Sequence, residues 1–197
     1  PFAVMCRDLD CVRALCAVTD AEAAALEGYR KPIVLLDKLV PGSMQHLSDN
    51  GSLGVMLPYT PLHVLLMGTD IDCLVMTSAN ISETPIISDN SEALAELRGV
   101  ADGFLLHDRP IANRCDDSLA VECQGREYFF RRSRGYAPQP LVMPDSAADG
   151  VLALGAEQKA GFAAGRDHHV FLSQHIGDLK NAETLDHYRA PLQTQLR

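Results

Sequence analysis

The stretch that decides the fold is residues 53–82, LGVMLPYTPLHVLLMGTDIDCLVMTSANIS. Its two short apolar runs, LGVMLP and CLVM, predict buried β-strands. Between them, Thr60 is placed to cap a helix that has Pro61 at its first position and Gly68 at its end. A strand, a helix and a strand in succession indicate an α/β sheet.

Polar residues follow the second of these strands directly. Thr77, Ser78 and Asn80 stand at its carboxyl end. Such residues often cap helices or form turns, because their side chains satisfy loose backbone N–H groups. The carboxyl end of a strand is also where α/β sheets usually bind ligands, and there a hydroxyl and an amide can contact phosphate or ribose oxygens. Taken alone, the stretch leaves both interpretations open.

Strand and helix patterns alternate through the first 136 residues. PFAVM and KPIVLLDK predict buried strands, and the two helices predicted between them begin after Asp8 and Thr19. NSEALAELRG predicts a helix, GFLLHDRPI a strand and a turn, and SLAVECQGREYFFRR an antiparallel hairpin. We therefore expect an α/β fold whose sheet is open, twisted and mixed, with helices packed against it.

The amino-acid composition changes in residues 137–150. This segment contains three prolines and few periodic apolar residues, which is typical of a linker. Beyond them the sequence predicts three short strands and a helix that begins after Asn181. Pro191 should end or kink that helix. We predict a first domain at 1–143, a linker at 144–150 and an incomplete second domain at 151–197.

Composition narrows the classes of function. The net charge of −9 argues against a duplex nucleic-acid binder, which would carry a basic surface. No apolar run is long enough for a membrane-spanning helix, and the start of the chain has no signal-peptide pattern. Because it opens on a Pro rather than a Met, we expect a chain cut from something longer. Six cysteines without a C-x-x-C pair predict small core residues in a reducing cytoplasm.

Charged residues flank the predicted hairpin on both sides. Before it stand Arg114, Asp116, Asp117 and Ser118, and after it stand Arg132 and Arg134. Adjacent carboxylates beside an arginine can hold Mg²⁺ or position a water near phosphate, whereas the alternative is an Asx-turn that leads into a strand. The two arginines share a strand face, and guanidinium groups bind phosphate in bidentate geometry. The alternative for them is a solvated, charged strand end.

The histidines and the absence of known motifs mainly exclude classes of site and of enzyme. His175, in SQHIGD, is the histidine best placed for a polar loop near a ligand, whereas His168 and His169 flank a predicted turn and should face solvent. No H-x-x-x-H spacing occurs, so no metal site is predicted within the chain. The absence of G-x-x-x-x-G-K-[ST] and G-x-S-x-G motifs excludes P-loop NTPases and ordinary serine hydrolases.

Eight blocks occur in a specific order: PFAVM, GVMLPYTPLH, LVMTSANIS, DGFLLHDRPI, RCDDSL, RRSRGYAPQPL, VLALGAEQK and FLSQHIGDL. In this order they resemble the HypF family of hydrogenase maturation carbamoyltransferases. The first part resembles the YrdC-like domain, and the part after the linker resembles the β-rich start of an actin-like ATPase-type domain. The resemblance implies a cytoplasmic enzyme that uses ATP, with Mg²⁺, to convert carbamoyl phosphate to carbamoyl-AMP. It also implies transfer of the carbamoyl group to the C-terminal cysteine of HypE, for nickel–iron hydrogenase.

The resemblance further implies roles for the candidate residues. Nucleotide and carbamoyl phosphate would be bound by Thr77, Ser78, Asn80, Arg114, Ser118, Arg132 and Arg134. Catalysis would fall to Asp116, Asp117 and Arg132. A loop of the second domain would present Glu157, Lys159, His175 and Asp178. Zinc and a transferase-domain metal are implied for the full-length protein only, and none for this chain.

The chain departs from the family pattern at Glu83 and Thr84. It departs again at Ala160 and Gly161, two positions at which the family usually has Asn and Thr. Two other functions use the same domain: a threonylcarbamoyl-AMP synthase of tRNA modification, and an RNA-binding module of the YrdC type. The GAEQK and SQHIGD blocks argue against the first, because stand-alone members do not continue into them. The net charge argues against the second. We expect small-molecule substrates, and neither membrane nor nucleic acid as a partner.

Overall fold

The computed structural model describes residues 2–82 and 84–195, so Glu83 lies outside the described residues. The chain forms two compact units. The first consists of Pro1–Thr77 with Asp117–Tyr136, and the second of Ser78–Asp116 with Ala137–Arg197. The division into domains along the sequence, with a linker at 144–150, stays a prediction.

The first unit contains six strands and three helices. They are β1 (Ala3–Cys6), α1 (Leu9–Leu15), α2 (Asp20–Glu27), β2 (Ile33–Asp37), β3 (Ser52–Met56), α3 (Pro61–Met67), β4 (Cys73–Met76), β5 (Leu119–Cys123) and β6 (Arg126–Arg131). The strands form one sheet in the order β4-β1-β3-β2-β5-β6. The pairs β1–β3 and β2–β5 are parallel, and the other pairs are antiparallel. The predicted open, mixed α/β sheet is confirmed.

Local capping sets the helix starts in this unit. The side chain of Asp8 accepts a hydrogen bond from the N–H of Cys11 at the start of α1. Thr19 and Glu22 form the reciprocal capping box of α2. Thr60 accepts from the N–H of His63, with Pro61 as the first residue of α3. These three helix starts lie where the sequence predicts them, because each depends on residues within one turn.

The sheet buries apolar side chains on both of its faces. On one face, residues of β2 and β3 such as Leu36 and Leu53 pack with Val12 of α1 and Leu26 of α2. On the other face, Met5, Ile33 and Met56 pack with Met67 of α3. Leu36 and Leu53 are 0% exposed. The two central strands are therefore held from both sides.

The second unit contains a smaller sheet. Its elements are α4 (Asn90–Glu96), β7 (Leu141–Val142), β8 (Leu152–Leu154), β9 (Phe162–Arg166), β10 (His169–Leu172) and α5 (Ala182–Gln195). The strands are antiparallel in the order β7-β10-β9-β8. Phe162 and Ile176 pack with Tyr188 of α5 to form its core. Among the described residues, no helix combines the length and the apolar character needed to cross a membrane.

The structure departs from the local predictions at three places. GFLLHDRPI forms no strand, and much of it stays exposed; Asn90 donates to the carbonyl of His107 in this loop. Strand β7 lies within 137–150, where only a linker is predicted, because it finds a partner in β10. Helix α5 continues through Pro191, so the predicted end of the helix there is wrong, whereas a kink at that point stays a prediction. The next residue, Leu192, packs against the Phe162 cluster. Tertiary contacts outweigh local preference in the last two cases.

Leu53 offers a test of the first core. Replacing Leu53 by Ala should lower the free energy of unfolding by about 2–5 kcal/mol, because it leaves a cavity at the centre of the sheet. Urea unfolding followed by circular dichroism would measure this. The control is Leu65→Ala on α3, where the side chain is 78% exposed and the change should stay within about 0.5 kcal/mol. Equal losses in the two variants would contradict this description of the core.

Candidate functional site

Arg134 contacts several segments of the first unit through its guanidinium group. Its Nε donates to a carboxylate oxygen of Asp117, and its two terminal nitrogens donate to the carbonyls of Arg30 at 3.1 Å and Lys31 at 2.7 Å. The flat face of the guanidinium lies 3.4 Å from the ring centre of Tyr59. The Arg134 and Asp117 side chains are only 21% and 25% exposed. Arg134 thus joins the loop before β2, the residues after β3 and the start of β5.

Ser118 contributes to the same network from a fully buried position. Its hydroxyl donates to the carbonyl of Arg134 at 2.9 Å and accepts from the N–H of Ser133 at 2.8 Å. A hydroxyl has a single proton to donate, and here it is used within the protein. The geometry therefore gives Ser118 the role of fixing the backbone of Arg134, and direct contact with a nucleotide stays a prediction.

Two residues that the sequence does not single out complete this network. Tyr59 follows β3, and His63 lies in the first turn of α3 with its ring edge-on to Tyr59 at 4.5 Å between centres. Burial raises the pKa of Tyr59, and the charge of Asp117 adds to the rise. Burial lowers the pKa of His63, and the charge of Arg134 also lowers it, whereas that of Asp117 opposes the shift. The only sequence signal for Tyr59 is its position just beyond the carboxyl end of a strand.

A second cationic cluster lies around the buried ring of Tyr136. Arg30 stacks over this ring at 4.7 Å, and Arg132 donates to the Tyr136 carbonyl at 2.8 Å. The Tyr136 hydroxyl donates to Glu127 at 3.0 Å. Burial lowers the pKa of Arg132, and the neighbouring charge of Arg30 lowers it further. Two half-buried guanidiniums of like charge favour an anion beside them.

The boundary between the two units falls within residues 77–80, the TSAN stretch. Thr77, in the first unit, is exposed directly after β4, whereas Ser78 is exposed in the second. Ser78 donates to the side-chain oxygen of Asn80, whose amide nitrogen donates to the carbonyls of Ile81 at 3.0 Å and Thr84 at 2.9 Å. Asn80 therefore ties its own loop together, which is the turn interpretation. Contact with a ligand stays a prediction.

Arg114 and Asp116 lie in the second unit with Gln174 and His187. The guanidinium of Arg114 donates to the Ser88 hydroxyl at 3.1 Å, and its carbonyl accepts from the amide of Gln174 at 3.2 Å. The pKa of His187 is lowered by burial first and by the charge of Arg114 next, whereas Asp116 opposes this shift. The structure thus places Arg114 and Asp116 close to α5, an arrangement that the sequence does not predict.

The predicted loop residues of the second unit lie in two adjacent segments. The N–H of Lys159 donates to the Asp178 carboxylate at 2.7 Å, and the N–H of Leu179 donates to the Glu157 carbonyl at 2.9 Å. The bond from Lys159 is the main cause of the lowered pKa of Asp178; the charge of Lys180 lowers it further, and the nearby His175 acts in the same direction. The structure therefore brings these segments together, and their ligand stays a prediction.

The grouping of potential metal-ligating side chains decides whether the protein alone can form a metal site. Within 2–82 and 84–195, no group of three or more histidine, cysteine, aspartate or glutamate side chains could hold a metal ion. Asp117 already has Arg134 as its counter-ion. Mg²⁺ can still be held by one or two carboxylates when substrate phosphates supply the other ligands.

Comparison with known families and proteins gives consistent matches. Residues 1–133 match the Sua5/YciO/YrdC family model, which carries the description telomere recombination, and residues 146–197 match the HypF Kae1-like domain. Carbamoyltransferase HypF of Synechocystis sp. is 38% identical over 197 residues, covering 95% of this chain and 25% of that protein.

Solved structures agree with these matches. The crystal structure of full-length HypF in the phosphate- and nucleotide-bound form is 43% identical with a TM-score of 0.93, covering 99% of this chain and 26% of that one. YciO of E. coli, at 18% identity and a TM-score of 0.51 over 67% of this chain and 65% of its own, is similar in fold alone.

The resemblance to HypF that the eight sequence blocks indicate is thereby confirmed. The chain spans about a quarter of the length of the HypF proteins that it matches. Because the Sua5/YciO/YrdC model matches more than half of the sequence, the chain belongs to the Sua5/YciO/YrdC family, and over nearly its whole length it is similar to one region of HypF.

Proposed function

We propose that this chain is the ATP-dependent, carbamoyl-adenylate-forming part of a carbamoyltransferase that acts in nickel–iron hydrogenase maturation. The observation that carries the proposal is the 43% identity over 99% of the chain to a HypF whose structure is a phosphate- and nucleotide-bound form. The match of residues 146–197 to the HypF Kae1-like domain favours this function over a threonylcarbamoyl-AMP synthase.

The chemistry begins with hydrolysis of carbamoyl phosphate: water breaks the bond between its bridging oxygen and phosphorus, and carbamate and inorganic phosphate are formed. A carbamate oxygen attacks the α-phosphorus of ATP, and the bond from that phosphorus to the pyrophosphate oxygen breaks. The product, carbamoyl-AMP, has a good leaving group, which carbamate itself lacks. The cysteine thiolate at the C-terminus of HypE is the proposed acceptor of the carbamoyl group. Cationic groups accelerate the first step by stabilising charge on the phosphates.

The side chains of the first unit suit this task in two ways. Arg132 and Arg30 concentrate positive charge around Tyr136, so we assign the phosphate groups to this cluster. Arg134 already donates to Asp117 and to the Arg30 and Lys31 carbonyls, so we assign it chiefly to positioning. Mg²⁺ would neutralise phosphate charge, with Asp117 and phosphate oxygens as its ligands.

Pyrophosphate release tests the function directly. The chain should release pyrophosphate from ATP when it is supplied with carbamate, the product of carbamoyl phosphate hydrolysis. Threonine with bicarbonate, the substrate pair of the rival synthase, should give no release above background. Calorimetric titration with ATP gives an independent measure of nucleotide binding. Release only with threonine and bicarbonate would move the assignment to tRNA modification, and the lack of ATP binding would refute the proposal.

Replacing Arg132 by Gln should weaken ATP binding by about 10- to 100-fold, because a charge-assisted bond to phosphate is worth roughly 1.5–3 kcal/mol. The matched control is Arg126→Gln, on the exposed face of β6, which should leave ATP affinity unchanged. Calorimetry on both variants measures the effect, and melting temperatures without ATP check that each is folded. Equal affinity in the two variants would place the phosphates elsewhere.

Replacing Asn80 by Asp should abolish the rise in melting temperature that ATP produces. The change removes both donors that hold the loop to Ile81 and Thr84 and adds a negative charge. Because the loop is largely exposed, the melting temperature without ATP should change little. Asn90→Asp is the matched control: Asn90 also donates to a loop carbonyl, that of His107, and it is assigned to no ligand, so the ATP effect should be retained. An equal ATP-induced rise in Asn80→Asp and the parent would leave Asn80 as a turn residue only.

Replacing Arg134 by Lys keeps the charge but loses the planar fork of donors and the stacking on Tyr59. The free energy of unfolding without ligand should therefore fall by about 1–3 kcal/mol. Arg126→Lys is the control and should cost roughly 0.5 kcal/mol or less. Chemical denaturation would measure both. A fully stable Arg134→Lys protein that fails to bind ATP would show that Arg134 acts on the ligand rather than on the fold.

A further inference from the structure

Two thiols outside the candidate site face each other at the β4 edge of the six-stranded sheet. Cys6 ends β1, Cys73 begins β4, and the two residues are direct partners in the antiparallel register. Their sulfur atoms lie 3.4 Å apart. Both are free cysteines. The sequence alone gives no reason to associate residues that stand so far apart along the chain.

The backbone pattern makes this pair suitable for a covalent bond. The N–H of Arg7 donates to the carbonyl of Asp72 at 2.8 Å, so the adjoining pair is hydrogen-bonded. Hydrogen-bonded and non-hydrogen-bonded pairs alternate along antiparallel strands, which makes Cys6 and Cys73 a non-hydrogen-bonded pair. Cα atoms in such pairs are about 4.5 Å apart, inside the roughly 4.4–6.8 Å range of disulfides. The bond therefore requires little backbone movement.

Access to the two sulfurs is unequal. Cys73 is half-buried and lines a cavity of ≈ 370 Å³ with Cys11 and Asp72, whereas Cys6 is fully buried behind it. Burial raises the pKa of Cys6, so its thiol stays protonated at neutral pH. The thiol of Cys11 is directed at the Asp72 carboxylate, 3.8 Å away. A small oxidant in the cavity therefore reaches Cys73 or Cys11 before Cys6, and the sulfur in contact with Cys73 is that of Cys6.

We propose that Cys6 and Cys73 form an oxidative modification site, at which a peroxide converts the thiol pair into a cross-strand disulfide. Hydrogen peroxide oxidises the Cys73 sulfur to a sulfenic acid and is itself reduced, releasing one water. The Cys6 sulfur then attacks the Cys73 sulfur and the S–O bond breaks. The departing hydroxide takes the Cys6 proton, which gives a second water. One peroxide and two thiols thus yield one disulfide and two waters.

The disulfide would fasten β4 to β1 at the end of β4 that lies away from Thr77. It would also close a long loop of the unfolded chain, which stabilises the folded state by constraining the unfolded one. The site is independent of the proposed carbamoyl chemistry, because neither cysteine belongs to the residues assigned to ATP or carbamoyl phosphate.

The test uses the 197-residue chain with its two exposed cysteines replaced, Cys115→Ser and Cys123→Ser. After treatment with hydrogen peroxide and blocking of the remaining thiols, non-reducing tryptic digestion should yield peptide 1–7 joined to peptide 39–98. The intact mass, measured before the remaining thiols are blocked, should fall by about 2 Da for the two hydrogens removed. The melting temperature should rise by roughly 5–10 °C and return to its starting value with a dithiol reductant.

Two variants in this background decide the assignment. Cys11→Ser should still form the cross-link, and Cys73→Ser should lose both the cross-link and the rise in melting temperature. Peptides 8–13 and 39–98 joined together would overturn the proposal by identifying Cys11 as the partner. Sulfinic acid on Cys73 without a cross-link would overturn it as well, as would a chain whose thiols remain unmodified under peroxide that oxidises a free cysteine peptide.

Discussion

The Arg134 guanidinium is the contact on which the arrangement of the first unit depends. It joins Asp117, Tyr59 and the carbonyls of residues 30 and 31, which belong to segments that are far apart in sequence. Lys31 has a φ of 46°, and the bond from Arg134 to its carbonyl holds this left-handed backbone in place. Gly135 is needed beside it, because a Cβ there would lie 2.7 Å from the Arg30 carbonyl oxygen. One side chain thus fixes three loops around a cationic region.

Much of the fold could be predicted from the sequence, because its signals are local. The cap at Thr60, the proline after it and the apolar runs on either side act within a few residues of one another. Strand β7 and the continuation of α5 through Pro191 have causes elsewhere in the chain: a partner in β10 and the packing of Leu192. Local patterns carry no information on such partners.

The candidate site divides in a similar way. Sequence patterns select suitable residue types, such as Arg132, Arg134 and Asp117, because charged groups near strand ends are conspicuous. These patterns do not show which polar side chain holds another one in position. Ser118 stands beside Asp117 in sequence, yet it is fully buried and directs its hydroxyl at backbone. In the sequence, Tyr59 looks like an ordinary core aromatic residue. Only the folded structure shows that its ring lies under the guanidinium of Arg134.

The order of strands in the large sheet has a consequence for how the protein is made. Strands β1 to β4 all lie within the first 76 residues, but β5 pairs with β2 only after the chain has passed through residues 78–116. Closing so long a loop costs entropy and slows folding. On the ribosome, the four-stranded part of the sheet can assemble early, while the edge of β2 stays open until the β5–β6 hairpin emerges. The nascent chain therefore exposes an unfilled strand position throughout the synthesis of that loop, and this is when it most needs protection from aggregation.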